Sequence, residues 1–333
     1  MKNHAKLKIT IILSLVVIFL LPQIVSAAVT LPWSTTFNCA EWTSPNIPAT
    51  INCDGLGRGG DWVCTDGTGS HATQITSGAN MAAGGGGRGF RNWYGPCKNN
   101  NSGGVDAGFA RQKELWVRWY MRFPTTFGWS TNSGCAAPDI QPKLIYVDLG
   151  TSPSNEFQPY LYHWDSLRMS TYTYQVDAQG YNVDWLPQYS HPALPNTGVG
   201  WDTIMAAGPD DPANPGHKKG DGLWHYYEVH AKAPTTARPI GKVPIDSNTS
   251  DGILQMWIDG KLVMNFNNVW FLADNSGWAN MLFNANYQGV SATNPCTEVD
   301  MDDIAISTTG YIGPLVTTPD TTPPAAPTGV TVS

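Results

Sequence analysis

Apolar and polar residues along this chain alternate with a period of two, the signature of half-buried strands. The clearest run is Glu114–Phe123, where Val117, Trp119, Met121 and Phe123 fall on one face and Arg118, Tyr120 and Arg122 on the other. Trp224–Lys232 alternates in the same way. Val229 and Ala231 mark its core face, which leaves Tyr226, Glu228 and His230 on the opposite one. Ile253–Ile258 and Lys261–Phe266 flank Asp259-Gly260, a pair suited to a tight turn with positive φ at both positions, so a hairpin is expected. Lys143–Leu149 is apolar on both faces and reads as a central strand. Phe157–Trp164 and Leu167–Val176 read as an antiparallel pair turning near Asp165-Ser166. Trp278–Tyr287 is a further strand, and Glu298–Ser307 closes the domain with Ile304 and Ile306 turned to the core. Two stretches lack the alternation. Residues 29–114 read as irregular, apart from a first strand within Val29–Phe37 and a turn at Gly84–Gly87 leading into another strand. Residues 177–222 read as one long loop rich in Pro, Gly, Asp and Asn, a length usually reserved for function.

Many strands, no helix beyond one or two turns and no βαβ alternation predict an all-β fold, a two-sheet antiparallel sandwich. One sheet carries a polar face, which curvature would turn into a groove. The ends of the chain are of another kind. Lys2, Lys6 and Lys8 precede the apolar run Ile9–Leu21, and Val25-Ser26-Ala27 follows as a small-x-small cleavage pattern. Residues 1–27 therefore read as a signal peptide, and the mature chain as secreted and free of the membrane. Residues 28–114 form a loop-rich N-terminal part, residues 115–314 the sandwich core, and residues 315–333 a Thr/Pro linker. The last segment, Asp320–Ser333, resembles the opening of a fibronectin type III module.

Charge and composition narrow the partners. The formal charge is −7, and loss of the three leader lysines takes it to −10, which argues against nucleic acid. Fourteen tryptophans and thirteen tyrosines offer flat faces for sugar rings. Six cysteines in an exported chain predict disulfides, and the absence of any C-x-x-C pair argues against zinc. Their spacing does not fix the pairing. The Gly84–Gly87 run lacks the Lys-Ser/Thr of a phosphate loop.

At Trp224-His225, Glu228, Asp251-Gly252 and Trp257–Val263 the sequence resembles the concanavalin-A-like jelly rolls. It is most similar to the jelly-roll polysaccharide lyases of the alginate and glucuronan lyase kind. The likeness runs in order from Leu115 to Pro314. It passes through a strand like Leu115–Phe123, a lysine-bearing strand at Lys143-Leu144, the tryptophan-histidine strand and the W-I-D-G hairpin. A late strand at Phe283–Gly289 and a closing strand at Asp302-Asp303-Ile304 complete it. Two positions depart from that pattern: Gln288-Gly289 stands where Gly-Gly is usual, and no arginine follows the hairpin in Asn267–Leu272.

The resemblance implies β-elimination on an acidic, uronate-containing polysaccharide. That chemistry neutralises a carboxylate, removes the adjacent proton and protonates a leaving oxygen. The residue types that can do this are Lys143 (by resemblance), His230 and Tyr120 for proton transfer. Arg118, Arg122, Gln255, Trp257, Asn284 and Asn286 are the substrate-binding candidates, with Tyr146 and His163 in reserve. The related glucanases use a Glu-x-Asp-x-Glu strand ahead of the hairpin. Here Glu298-Val299-Asp300-Met301-Asp302 follows the hairpin and ends in Asp, so a hydrolase is the less favoured reading. Asp300 and Asp302 are instead candidates for a structural calcium site; no other cofactor is expected. A non-catalytic carbohydrate-binding or adhesion module stays open as the alternative to a lyase.

Overall fold

The computed structural model describes residues 28–43, 47, 50–58, 63–66, 69–81, 87–94, 105–127, 147–149, 156–162, 166–177, 180–185, 207–212, 218–236, 250–269, 277–283 and 296–315. The predicted signal peptide and the tail from residue 316 lie outside them. Eighteen strands are present among the described residues, with one short 3-10 turn at Ser77–Ala79. In chain order they are β1 (Trp33–Thr35), β2 (Thr50–Ile51), β3 (Leu56–Arg58), β4 (Val63–Asp66), β5 (Gly69–Ala72) and β6 (Gln74–Thr76). Next come β7 (Gly89–Tyr94), β8 (Val105–Gln112), β9 (Glu114–Arg122), β10 (Val147–Leu149), β11 (Glu156–Tyr162) and β12 (Ser166–Asp177). The last are β13 (Gly180–Trp185), β14 (Trp224–Lys232), β15 (Ile253–Ile258), β16 (Lys261–Phe266), β17 (Trp278–Phe283) and β18 (Thr297–Ser307).

The strands build two eight-stranded antiparallel sheets. Sheet 1 runs β16-β15-β14-β9-β18-β7-β6, with β1 paired to β18. Sheet 2 runs β13-β12-β11-β10-β17-β8-β3-β2, and β4 and β5 form a separate ribbon. The all-β two-sheet antiparallel sandwich expected from the alternation, and the jelly roll that the resemblance implies, are therefore the observed fold. The core lies between the sheets, built from the apolar phase of each strand. Leu115, Val117, Trp119 and Met121 of β9 and Tyr227, Val229 and Ala231 of β14 meet Val105, Ala107 and Phe109 of β8 and Met281 and Phe283 of β17. Trp119 stacks on Tyr227 at 5.5 Å and meets Phe283 edge-on at 5.4 Å, which ties sheet 1 to sheet 2. Burying one such indole is worth about 4–6 kcal/mol of transfer free energy before conformational entropy is counted.

The β15–β16 hairpin turns where expected. Asp259 and Gly260 have φ of 47° and 78°, the doubly left-handed turn that matches strand twist. Gly252, just ahead of β15, sits against the chain beyond β16: a Cβ there would lie 2.1 Å from the Val269 carbonyl oxygen.

Three features differ from the sequence reading. First, the stretch read as irregular supplies strands to both sheets, and β8 is an internal strand of sheet 2 between β17 and β3. Second, the stretch read as one long loop begins with a strand, β13, paired to β12. Third, β18 carries a bulge. Asp302 pairs with Tyr120 and Ala305 with Arg118, so β18 spends one residue more than β9, and Asp303 takes a φ of 46°. The N-terminal loop is tied by the disulfide Cys39–Cys53, and Cys296 is disulfide-bonded as well. Asp54 reinforces that loop by accepting from Thr35 and the Trp42 indole (both 2.6 Å) and, at its carbonyl, from the Trp33 indole (2.8 Å).

Candidate functional site

The polar phase of β9, β14, β15 and β18 makes the outer face of sheet 1. It gathers six of the candidate residues, Arg118, Tyr120, Arg122, His230, Gln255 and Trp257. Register explains the gathering: Arg118 lies opposite Glu228, Tyr120 opposite Tyr226, and His230 opposite Gln255. Their polar groups, however, are engaged by the protein itself. Residues 311–315 cross this face as a strap. Glu228, fully buried, accepts the Ile312 N–H at 2.7 Å and the Gly313 N–H at 2.9 Å. Burial pushes its pKa up, opposed by those two N–H groups and by the charge of Arg118. Arg118 is 4% exposed; it donates to the Gly313 carbonyl at 3.2 Å and forms an ion pair with Asp303, the bulge residue. The Tyr120 hydroxyl accepts the Leu315 N–H at 2.8 Å, and the Tyr226 and Tyr311 hydroxyls share a hydrogen bond of 2.6 Å. A substrate could reach the Arg118 carboxylate-binding edge only by displacing Asp303 or the strap.

Arg122 is committed in a similar way. It donates to Asp300 at 2.5 and 3.1 Å and to the Gly78 carbonyl, with its guanidinium 5.0 Å over the Trp224 ring. Arg91 donates to the same carboxylate from the other side at 2.6 and 3.0 Å. Asp300 is thus neutralised by two guanidiniums. Asp302 accepts the N–H groups of Met81 and Asp303, both at 2.8 Å. These carboxylates are met by donors rather than arranged around a space for a cation. Among the described residues no group of three or more His, Cys, Asp or Glu side chains is set to hold a metal.

Asp302 has a measurable consequence. Burial lifts its pKa to about 7, against the two N–H donors, with the neighbouring Asp303 adding to the rise. A carboxyl group raised in the folded state stabilises fully below its unfolded pKa, and that stability is lost as pH climbs through the folded value. The gap between about 7 and an unfolded value near 4 corresponds to about 4 kcal/mol at most. Denaturant unfolding at pH 5 and pH 8 is therefore expected to show a fall in stability that Asp302→Asn flattens. An equal fall in both proteins would remove Asp302 as the source.

The two histidines of β14 are also held. His230 is sandwiched between Gln255 (Nδ1, 2.9 Å) and Glu114 (Nε2, 2.9 Å) and stacks on Trp116 at 4.1 Å. His225 bridges Asp259 of the hairpin turn at 2.5 Å and Asp221 at 2.9 Å. Burial pulls the His225 pKa down, but the hydrogen bonds and charges of the two carboxylates outweigh it and the net shift is upward. Gln255 passes its amide N–H to Asn265 at 2.8 Å, and Trp257 leans on Tyr311 with ring centres 5.3 Å apart.

Lys143, Asn284 and Asn286, with Tyr146 and His163, lie outside the described residues. The described strands nearest to the first three in sequence are β10 and β17. These are hydrogen-bonded neighbours in sheet 2, with Val147 opposite Phe283 and Leu149 opposite Met281. The next strand across is β8, where Leu282 pairs with Asp106. Asp106 sits on the phase of β8 opposite Val105 and Ala107, is half-buried, and has its Oδ1 buried without a hydrogen-bond partner. Burial raises its pKa. No motif in the sequence singles Asp106 out; a polar residue in phase between two core residues was its only signal.

Among solved structures, the chain is similar to several alginate and glucuronan lyases. The alginate lyase Aly36B is 16% identical over 84% of this chain and 98% of its own, with a TM-score of 0.43. The endo-β-1,4-glucuronan lyase of the fungus Trichoderma reesei is 14% identical over 83% of this chain and 95% of its own, with a TM-score of 0.45. An alginate lyase from Chlorella virus is 10% identical over 74% and 91%, with a TM-score of 0.41. No family model and no curated relative matches the chain. The likeness to these lyases is one of fold.

Proposed function

We propose that the protein is a secreted polysaccharide lyase that cleaves a uronate-containing glycan by β-elimination over sheet 2. The observation that carries this reading is the pairing of β10 with β17. It makes neighbours of the two strands nearest in sequence to Lys143 and the Asn284/Asn286 pair, the lysine and the amides that the resemblance and the chemistry select. In the reaction Lys143, as a neutral amine, takes the proton from C5 of the uronate. The C–H electron pair becomes the C4–C5 double bond while the C4–O bond breaks, and the leaving oxygen takes up a proton from solvent water. Asn284 and Asn286 donate N–H groups to the uronate carboxylate, whose charge grows in the transition state. The step needs no oxidant and no paired nucleophile and acid. The one hydrolase-like carboxylate strand, β18, supports this too, because Asp300 and Asp302 already bind partners inside the protein.

The test is the ultraviolet absorbance of the unsaturated uronate product. The mature protein incubated with alginate, glucuronan or pectate is expected to raise that absorbance on at least one of them. Folded protein that leaves all three unchanged would sink the lyase reading.

A further inference from the structure

The outer face of sheet 1 holds a cavity of about 620 Å³, between β1, β18 and the strap. Trp33, Ser307, Thr309 and Tyr311 line it, with the Arg118–Asp303 pair beside them. We propose that this cavity binds a neutral glycosyl unit, at a site separate from the sheet 2 face. Its size falls within the roughly 300–1,000 Å³ typical of small-molecule sites. Its aromatic walls are fixed in advance. The Trp33 indole N–H is held by the Asp54 carbonyl at 2.8 Å, and Tyr311 is held by the Tyr226 hydroxyl and the Trp257 ring. Tyr311 is nevertheless 48% exposed, so its ring is open to a ligand. Rings already ordered lose little rotamer freedom when a sugar stacks on them.

The polar groups fit hydroxyls better than an anion. The Arg118 Nε is buried without a partner, while its two terminal nitrogens each serve one acceptor, Asp303 and Gly313. Arg118 is thus closed over by its own partners and offers an anion in the cavity no open guanidinium edge. Ser307 and Thr309 add hydroxyls 3.2 Å apart. Among the described residues that line the cavity, Arg118 and Asp303 are the charged ones, and they cancel one another. Glu228 stands opposite Arg118 in the neighbouring strand. A uronate or phosphate would therefore enter with no net positive charge to receive it, whereas a neutral ring loses nothing.

The proposal concerns binding alone and does not depend on cleavage. It is tested on the mature chain by calorimetric titration with cellobiose, xylobiose and mannobiose, and with glucuronate and galacturonate as the charged comparison. At least one neutral disaccharide is expected to bind. Tyr311→Ala is expected to weaken it at least about tenfold, and Trp33→Ala likewise, while Tyr311→Phe, which keeps the ring, retains it. Tyr311 lies at the exposed rim, so its alanine variant remains informative if Trp33→Ala fails to fold. Absence of binding by all three neutral disaccharides overturns the proposal. So does full affinity in Tyr311→Ala, or binding of the uronates as tight as that of the neutral sugars.

Discussion

Glu228→Ala is expected to lower the unfolding free energy by about 3–5 kcal/mol, the range seen when one partner of a buried charged network is removed. Two costs combine. The N–H groups of Ile312 and Gly313 lose their acceptors inside the protein, at about 1–3 kcal/mol each. Arg118, already 4% exposed, loses the nearby negative charge and keeps only Asp303. Glu228→Gln should cost about half as much, because its amide can accept from one N–H while presenting its NH₂ to the other. Guanidinium unfolding would show the loss as a lower midpoint at unchanged slope. Limited proteolysis should cut the strap first, since removing its anchor opens it locally before the sandwich unfolds. Wild-type stability in Glu228→Ala would mean that the strap is held by something else.

The strap also marks the limit of what the sequence could say. Alternation alone placed Arg118, Tyr120 and Arg122 on one face of β9 and Tyr226, Glu228 and His230 on one face of β14, and the register agrees. Asp259-Gly260 located the hairpin because only a few residue types tolerate two positive φ angles in succession. What alternation cannot report is which groups lie over a face. The residues that cover Glu228 are 84 and 85 positions away, and the one bonded to Tyr120 is 195 away. In sequence Gly310–Pro314 reads as the end of the domain. The Arg118–Asp303 pair was hidden for a related reason, because a bulge shifts β18 by one residue and brings an out-of-phase aspartate to the arginine. β8 was missed on propensity. Its apolar phase is Val105, Ala107 and Phe109, and its other phase holds Gly108 and Ala110, small residues with little preference for strands. Polar residues on a regular face thus predicted a surface, and the structure spends that surface largely on holding the strap at residues 311–315.

For the chemistry, the decisive expectation concerns Lys143. If it is the base, Lys143→Ala lowers turnover on the cleaved uronan by about 10²–10⁴-fold, the usual contribution of a positioned proton acceptor. Lys143→Arg separates that role from simple charge. A guanidinium stays protonated throughout the accessible pH range, so it can attract the substrate carboxylate but cannot accept the C5 proton. The arginine variant should therefore keep a KM near that of the wild type while its kcat falls about as far as in the alanine variant. A residue that only binds the carboxylate would give the reverse, with KM rising in Lys143→Ala and recovering in Lys143→Arg at unchanged kcat. Asp300→Asn, on sheet 1, supplies the contrast. Its carboxylate is held by Arg91 and Arg122, so the substitution is expected to reduce stability while the folded fraction turns over normally. Full turnover in Lys143→Ala would remove it as the base. Loss of turnover in folded Asp300→Asn would move the chemistry to β18 and return the hydrolase reading to the front.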